Sequence, residues 1–376
     1  MKKLSYCILM ILLIAGCSST PSTNALKDTK TIVLGNDTFH SAKSPEFLNL
    51  LNHTEFKFLD KSGHVLGSKK YRGNFYKLKI DNNFYYLISS DKFIKGKLSN
   101  QDEKVYNFEP SLNAIDSQVY LYEENLYFID NQGFRSEPTN YLTSIYKNNE
   151  KLFDIEDEQA TSLVVIGSDV YVLTENNHNQ KHSERGIKRK LYRYNIENKM
   201  IEKMSETLES RHYTSQLITD SEKLYLYLYI ADNVPISDSI GSIGDRLLVI
   251  DKDLNVESIS DFKRFGPSFT SDVQNSIINN KLYIKSERHE LRMIDLNTME
   301  RRDLKLEPIS DTAQYHYWSQ YWYDSSKENL VLFGNFESKP NYTQYVYDLK
   351  SGALIETIEC PDVSALYRSS SIELSE

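Results

Sequence analysis

Nine consecutive residues, YHYWSQYWY (315–323), hold Tyr315, His316, Tyr317, Trp318, Tyr321, Trp322 and Tyr323, and so both tryptophans of the chain. Aromatic rings with polar tips offer flat amphipathic surfaces suited to sugar faces, peptides or a partner's loop. Two further segments carry similar material: SRHYTSQ (210–216) with Arg211, His212 and Tyr213, and FGPSFTSD (265–272) with Phe269. Arg211, His212, His316 and Tyr317 could also serve as acid–base groups for a glycan or a lactone, provided the fold brings two of them within hydrogen-bond reach in one pocket. The competing reading is that alternate members pack as core while the rest line a structural channel.

Other constellations are poorer in chemistry. The chain has no Gly-x-Ser-x-Gly, His-Glu-x-x-His or phosphate-binding glycine loop and no cysteine pair of metal spacing, so no catalytic residue, metal ligand or cofactor site is assigned. DKDLNVESISDF (251–262) puts Asp251, Asp253 and Asn255 at calcium-loop positions, yet Val256 stands where the turn glycine belongs and Phe262 where the bidentate acid belongs. It reads as a hairpin turn. His178 and His182 are four apart in a segment without helical pattern, which argues against zinc. The surrounding connection, 176–190, gathers Lys181, Arg185, Lys188, Arg189 and Lys190, and reads as a solvated loop rather than an anion contact.

The elements that must position these residues repeat along the chain. LYRYNIENKMIEKM (191–204), LLVIDKDLNVESI (247–259), LRMIDLNTMERRDLKL (291–306) and YVYDLKSGALIETI (345–358) each run from an alternating apolar strand through a polar turn into a second strand. Their anchors Asn195, Asp251, Asp295 and Asp348 are 56, 44 and 53 residues apart, a spacing that fits propeller blades. Another strand pair precedes each hairpin, as in NSIINNKLYIKSER (275–288), giving four strands per unit. The expected fold is therefore all-β, a β-propeller of four-stranded blades. Seven blades are expected, near 31–70, 71–110, 112–156, 161–207, 212–260, 268–307 and 315–358, with six or eight as alternatives. The end DVSALYRSSSIELSE (362–376) alternates enough to complete the first blade, which lacks an inner pair. Residues 41–52 show helical spacing, and the long connections 176–190 and 231–245 should leave one face of adjacent blades. The aromatic cluster falls where the chain begins the innermost strand of the last blade, beside the mouth of the channel.

The N-terminus resembles a bacterial lipoprotein signal peptide: Lys2 and Lys3, an apolar stretch from Ile8 to Ile14, then Ile14-Ala15-Gly16-Cys17. By that resemblance residues 1–16 are removed, Cys17 is lipidated, and residues 17–30 are a flexible tether to a propeller domain at 31–376. Localisation to the cell envelope follows, on the outer membrane of a Gram-negative host, since Ser18 is not aspartate, or on the outer face of a Gram-positive plasma membrane. Removing residues 1–16 takes away two lysines and no acid, so the formal charge moves from −9 to −11. That balance speaks against nucleic acid as a partner. The cysteines are Cys7, Cys17 and Cys360, so no disulfide can form within the mature chain.

The repeat pattern from about residue 55 to 358 is similar to β-propellers of the quinoprotein-like (YVTN-like) superfamily. The plan is similar to that of the lipoprotein propeller of the outer-membrane barrel-assembly machinery. YVYDLKSGALIET (345–357) comes nearest to the quinoprotein blade signature, with Thr357 near its tryptophan position. The lipid anchor, the acidic balance and the lack of a catalytic constellation point to an extracytoplasmic scaffold that binds an envelope protein or glycan, with the membrane held through the N-terminal lipid. An enzyme of hydrolase or lyase type, working at the channel mouth, is the alternative.

Overall fold

The computed structural model describes residues 31–37, 53–72, 75, 77–81, 84–89, 91–97, 102–108, 119–134, 141–176, 187–210, 212, 214–230, 244–265, 276–286, 289–309, 320–324, 327–334, 341–364 and 369–374. Blade 1 contains β1 (Thr31–Asp37), β2 (His53–Leu59) and β3 (Val65–Arg72). Blade 2 follows with β4 (Lys77–Asp81), β5 (Phe84–Ile88), β6 (Lys92–Lys97) and β7 (Glu103–Asn107). Blade 3 has β8 (Val119–Tyr122), β9 (Asn125–Phe134), β10 (Tyr141–Lys147) and β11 (Glu150–Glu156). Blade 4 has β12 (Gln159–Ile166), β13 (Asp169–Asn176), β14 (Ile187–Asn195) and β15 (Met200–Met204), and the short β16 (Leu208–Ser210) also pairs with β14. Blade 5 consists of β17 (Thr214–Thr219), β18 (Leu224–Tyr229), β19 (Asp245–Ile250) and β20 (Val256–Phe262). Blade 6 opens with the two-residue β21 (Ile277–Ile278) and continues with β22 (Lys281–Lys285), β23 (Glu290–Asp295) and β24 (Arg301–Lys305). Blade 7 has β25 (Gln320–Asp324), β26 (Asn329–Gly334), β27 (Asn341–Asp348) and β28 (Leu354–Ser364).

The last strand, β29 (Ser369–Leu374), pairs antiparallel with β1 and becomes the innermost strand of blade 1. It lies between β25 and β4, so the two ends of the chain close the ring, as the alternation of 362–376 leads one to expect. Closure of this kind leaves no blade end unpaired along the ring.

Each blade is apolar on both sides because it is a slice between two neighbours. The run Leu-Tyr-Leu-Tyr-Leu-Tyr of β18 shows how period 2 accomplishes this. Leu224, Leu226 and Leu228 pack with Val164, Tyr171 and Leu173 of blade 4, while Tyr225, Tyr227 and Tyr229 pack with Leu282, Ile284 and Ile294 of blade 6. Burying one such side chain contributes about 1.5–3 kcal/mol. Among the described residues seven such clusters form, one at each blade interface, and the last joins Val331, Phe333 and Val346 of blade 7 to Leu59 of blade 1. Outer strands have one neighbour fewer, and β15 and β20 are mostly exposed.

The repeated anchors prove to be turn caps. The side chains of Asn195, Asp251, Asp295 and Asp348 accept hydrogen bonds from backbone amides inside the turn that joins the third and fourth strands, at 2.7–3.2 Å. Asp60 caps the corresponding turn of blade 1. Each turn then needs one residue of positive φ: Lys199, Leu254, Met299, and the glycines Gly63 and Gly352. The calcium-like spacing of Asp251, Asp253 and Asn255 belongs to such a turn.

Candidate functional site

The two faces of the ring differ. Connections from first to second strand and from third to fourth strand never exceed five residues. Connections from second to third strand, and from one blade to the next, leave the opposite face and include 38–52, 108–118, 177–186, 230–244, 263–276 and 306–319. The longer connections thus all begin and end on one face, beside the start of every innermost strand. Both connections singled out from the sequence, in blades 4 and 5, do leave this face.

Beneath it the blade interfaces carry buried charge. Glu158, in the link from blade 3 to blade 4, accepts bonds from Lys190 Nζ at 2.6 Å, Tyr192 Oη at 3.0 Å and the Thr174 hydroxyl. Arg189 is 1% exposed. Its Nε donates to Glu175 Oε1 at 2.8 Å, Nη1 to Ser210 Oγ at 3.0 Å and Nη2 to the His212 carbonyl at 2.8 Å. Ser215 of blade 5 donates to the same Glu175 oxygen at 2.6 Å. Arg292, 0% exposed, repeats the scheme between blades 5 and 6. Its Nη1 donates to Asp245 Oδ2 at 2.8 Å, Nε and Nη2 grip Asp303 at 2.8 and 3.1 Å, and Nη2 reaches the Lys263 carbonyl at 2.8 Å. The guanidinium also lies 4.4 Å from the centre of the Phe265 ring. Burial pushes the Asp245 carboxyl up, with hydrogen bonds from Tyr227 and Arg292 opposing it. Each arginine therefore ties a carboxylate and a backbone carbonyl of an inter-blade link to one rigid fork, which fixes the floor under the long connections.

Between blades 6 and 7, His289 Nε2 lies 3.2 Å from Tyr347 Oη, and burial with the nearby Lys285 charge lowers its pKa to about 4. Since the unfolded imidazole titrates near 6.5, only the unfolded chain takes up this proton between those values. Stability is therefore complete above about pH 6.5 and falls as the pH drops towards 4. His289→Asn, an exchange tolerated at its positive φ of 64°, should lower stability at pH 7.5 and flatten the pH dependence of urea unfolding between pH 7 and 4.5. A slope equal to that of the native chain would contradict this.

A further cluster, not apparent from the sequence, sits between blades 1 and 2. Glu103 Oε1 accepts from Lys69 Nζ at 2.7 Å and from the hydroxyls of Tyr71 and Tyr85. Burial raises the Glu103 carboxyl, but these three donors outweigh it and hold the group below its ordinary range. The ring of Tyr85 fits because Gly96 has no side chain; a Cβ there would meet the ring at 2.0 Å. Tyr85 Oη also lies 3.3 Å from Lys69 Nζ and 3.2 Å from Tyr71 Oη, so the four groups form one connected pin between the blades.

Of the residues read from the sequence as a site, His212 is buried and held by two contacts: Nε2 to the Gly244 carbonyl at 2.8 Å and Nδ1 to Ser210 Oγ at 3.4 Å. Burial, despite the Gly244 contact, keeps its pKa below the ordinary histidine value. The structure places it as a bridge from blade 4 to blade 5. Trp322 lies within β25, its backbone opposite Val331. Cys17, Arg211, Tyr213, Phe269, Tyr315, His316, Tyr317 and Trp318, and the helical spacing at 41–52, lie outside the described residues. The solvated-loop reading of 176–190 needs correction at its end: Lys188, Arg189 and Lys190 belong to β14, opposite Asn176, Glu175 and Thr174 of β13. The buried Glu175 carboxylate draws Arg189 inward, so the charge run does not continue as loop. Parity could have shown this, because Arg189 shares a strand face with buried Leu191, as Arg292 does with Ile294.

No family model matches the chain, and no curated protein matches it in sequence. Among solved structures, a chimera of apocarotenoid oxygenase and RPE65 is similar over 96% of this chain and 94% of its own, with a TM-score of 0.53 at 8% identity. Cobalt-substituted apocarotenoid oxygenase from Synechocystis gives the same coverage and TM-score at 9% identity. BamB from Moraxella catarrhalis is similar over 75% of this chain and 71% of its own, with a TM-score of 0.42 at 10% identity. Sequence identities this low establish likeness of fold alone. The chain is a β-propeller.

Proposed function

We propose that this chain is a lipid-anchored propeller of the cell envelope that presents its long-connection face to a protein or glycan partner. The observation that carries the reading is the asymmetry of the ring: short capped turns on one face, and on the other all the long connections, over a floor fixed by Arg189 and Arg292. Binding sites concentrate in loops held by a rigid scaffold. The aromatic segment 315–318 lies within one of these connections, so Tyr317 and Trp318 are assigned to recognition. Cys17 supplies the membrane attachment, and its replacement by alanine should abolish incorporation of a palmitate analogue.

The test of binding uses two variants. In one, residues 177–186 and 231–243 are replaced by short Gly-Ser links; the other is Trp318→Ala. Either should reduce capture of the native partner from solubilised envelope by tenfold or more, about 1.4 kcal/mol, while the melting temperature stays within a few degrees. Unchanged capture by both folded variants would refute the reading.

A further inference from the structure

The course of the first strand bears on how the anchored ring faces its membrane. Thr31 pairs with Leu59 on one side and Leu374 on the other, and Leu59 leads directly into the Asp60-capped turn. β1 therefore starts on the tight-turn face and runs towards the long connections. Residues 17–30, which reach at most about 50 Å when extended, join the ring on the tight-turn side.

An independent observation marks the same side. Among the described residues the exposed large apolar side chains all lie on outer strands. Four of them stand at strand ends next to the tight turns: Met200 and Ile201 (54% and 38% exposed), Val256 (39%) and Ile355 (55%). Val105 and Ile259 are mid-strand, and Met204 (50% exposed) closes β15 opposite Tyr192, within β14. Single exposed apolar residues are ordinary, but a bias to one face is not expected from chance exposure.

Charge on this face is balanced although the chain is acidic overall. Glu124, Glu150, Glu222 and Glu328, in or beside its turns, form ion pairs with Lys95, Lys199, Lys252 and Lys350. Asp251, Asp295 and Asp348 are turned inward onto backbone amides. Among the described residues these pairs and caps neutralise part of the negative charge that would repel an anionic surface.

We infer that the tight-turn face docks on the lipid surface to which the chain is anchored, through Met200, Ile201, Val256 and Ile355, so that the long-connection face points away from the membrane. The inference rests on the anchored reading and adds an orientation to it. Lipid chains supply attachment, while the weak apolar contacts stop the ring from tumbling on its tether.

The experiment attaches the mature chain through Cys17 to a maleimide lipid in phosphatidylethanolamine–phosphatidylglycerol vesicles bearing a headgroup nitroxide. Cys360 does not compete, because it is buried and burial pushes its thiol up to about 11. A fluorophore on a click-reactive residue is placed at Ser221 or Thr298 in the tight turns, or at Asp91 or Asp261 at the opposite end. Quenching at Ser221 and Thr298 should exceed that at Asp91 and Asp261 at least threefold. The variant Met200→Ser, Ile201→Ser, Val256→Ser, Ile355→Ser, folded by circular dichroism, should lose that difference. Equal quenching at all four positions, stronger quenching at Asp91 and Asp261, or an undiminished difference in the variant would overturn the proposal. Because the anchor is chemical, the result is independent of lipidation in the cell; failure of the Cys17→Ala labelling test would strike the anchored reading instead.

Discussion

Arg292→Met should destabilise the protein by about 3–5 kcal/mol, because it leaves Asp245 buried among apolar side chains with its main counter-charge gone. Both groups are 0% exposed as side chains, and what remains for the Asp245 carboxylate is the Tyr227 hydroxyl at 2.8 Å and the Phe265 backbone amide, neither of them charged. The same substitution strips Asp303 of its bidentate partner and frees the Lys263 carbonyl. A double-mutant cycle separates the pair from the surrounding packing. In an Asp245→Asn background, Arg292→Met should cost less by about 1–3 kcal/mol, since no buried anion is then stranded. Equal costs in both backgrounds, measured by urea unfolding, would show that the pair is uncoupled and that packing alone explains the loss.

Gly244→Ala is expected to be nearly as damaging, through sterics rather than charge. A Cβ at this position would lie 1.9 Å from the Phe262 carbonyl oxygen, a backbone atom of the neighbouring strand. The two strand ends must move apart, and the Gly244 carbonyl then leaves His212 Nε2, now 2.8 Å away. Overpacking costs about 1–3 kcal/mol and the lost hydrogen bond about 1 kcal/mol more. Gly133→Ala is the control. Its φ of +77° imposes strain of about 1–2 kcal/mol, but nothing lies within 4 Å of the added carbon. Comparable melting temperatures for the two variants would contradict the steric argument.

How far such features were readable depends on their range. The Leu-Tyr alternation of Leu224 to Tyr229 announces a strand buried on both sides, because side-chain direction has a strict period of 2. Asn195, Asp251, Asp295 and Asp348 mark a recurring turn because the residue that caps it is local to it. Blade number followed from these, and closure by the C-terminal strand followed from a missing inner pair near residue 31. The charged interfaces did not. Arg189 with Ser215, Arg292 with Asp245 and Glu103 with Tyr71 are contacts between blades, and strand periodicity places a side chain on a face without naming its neighbour. Arg189 also lay at the end of a run of like charges, whose usual meaning is solvent. His212 shows the converse: an arginine–histidine–tyrosine triplet suggested a site, whereas the structure spends its histidine on joining blade 4 to blade 5.

The central claim, that the long-connection face receives a partner, is tested most directly by photo-crosslinking in native envelopes. A photoreactive residue is placed at Asp91 on that face or at Tyr317 in the connection 306–319, and at Ser221 or Thr298 in the tight turns. One protein adduct of constant mass is expected from Tyr317 and Asp91, and none of that mass from Ser221 or Thr298. The same adduct from the tight-turn positions, with Tyr317 and Asp91 silent, would contradict it.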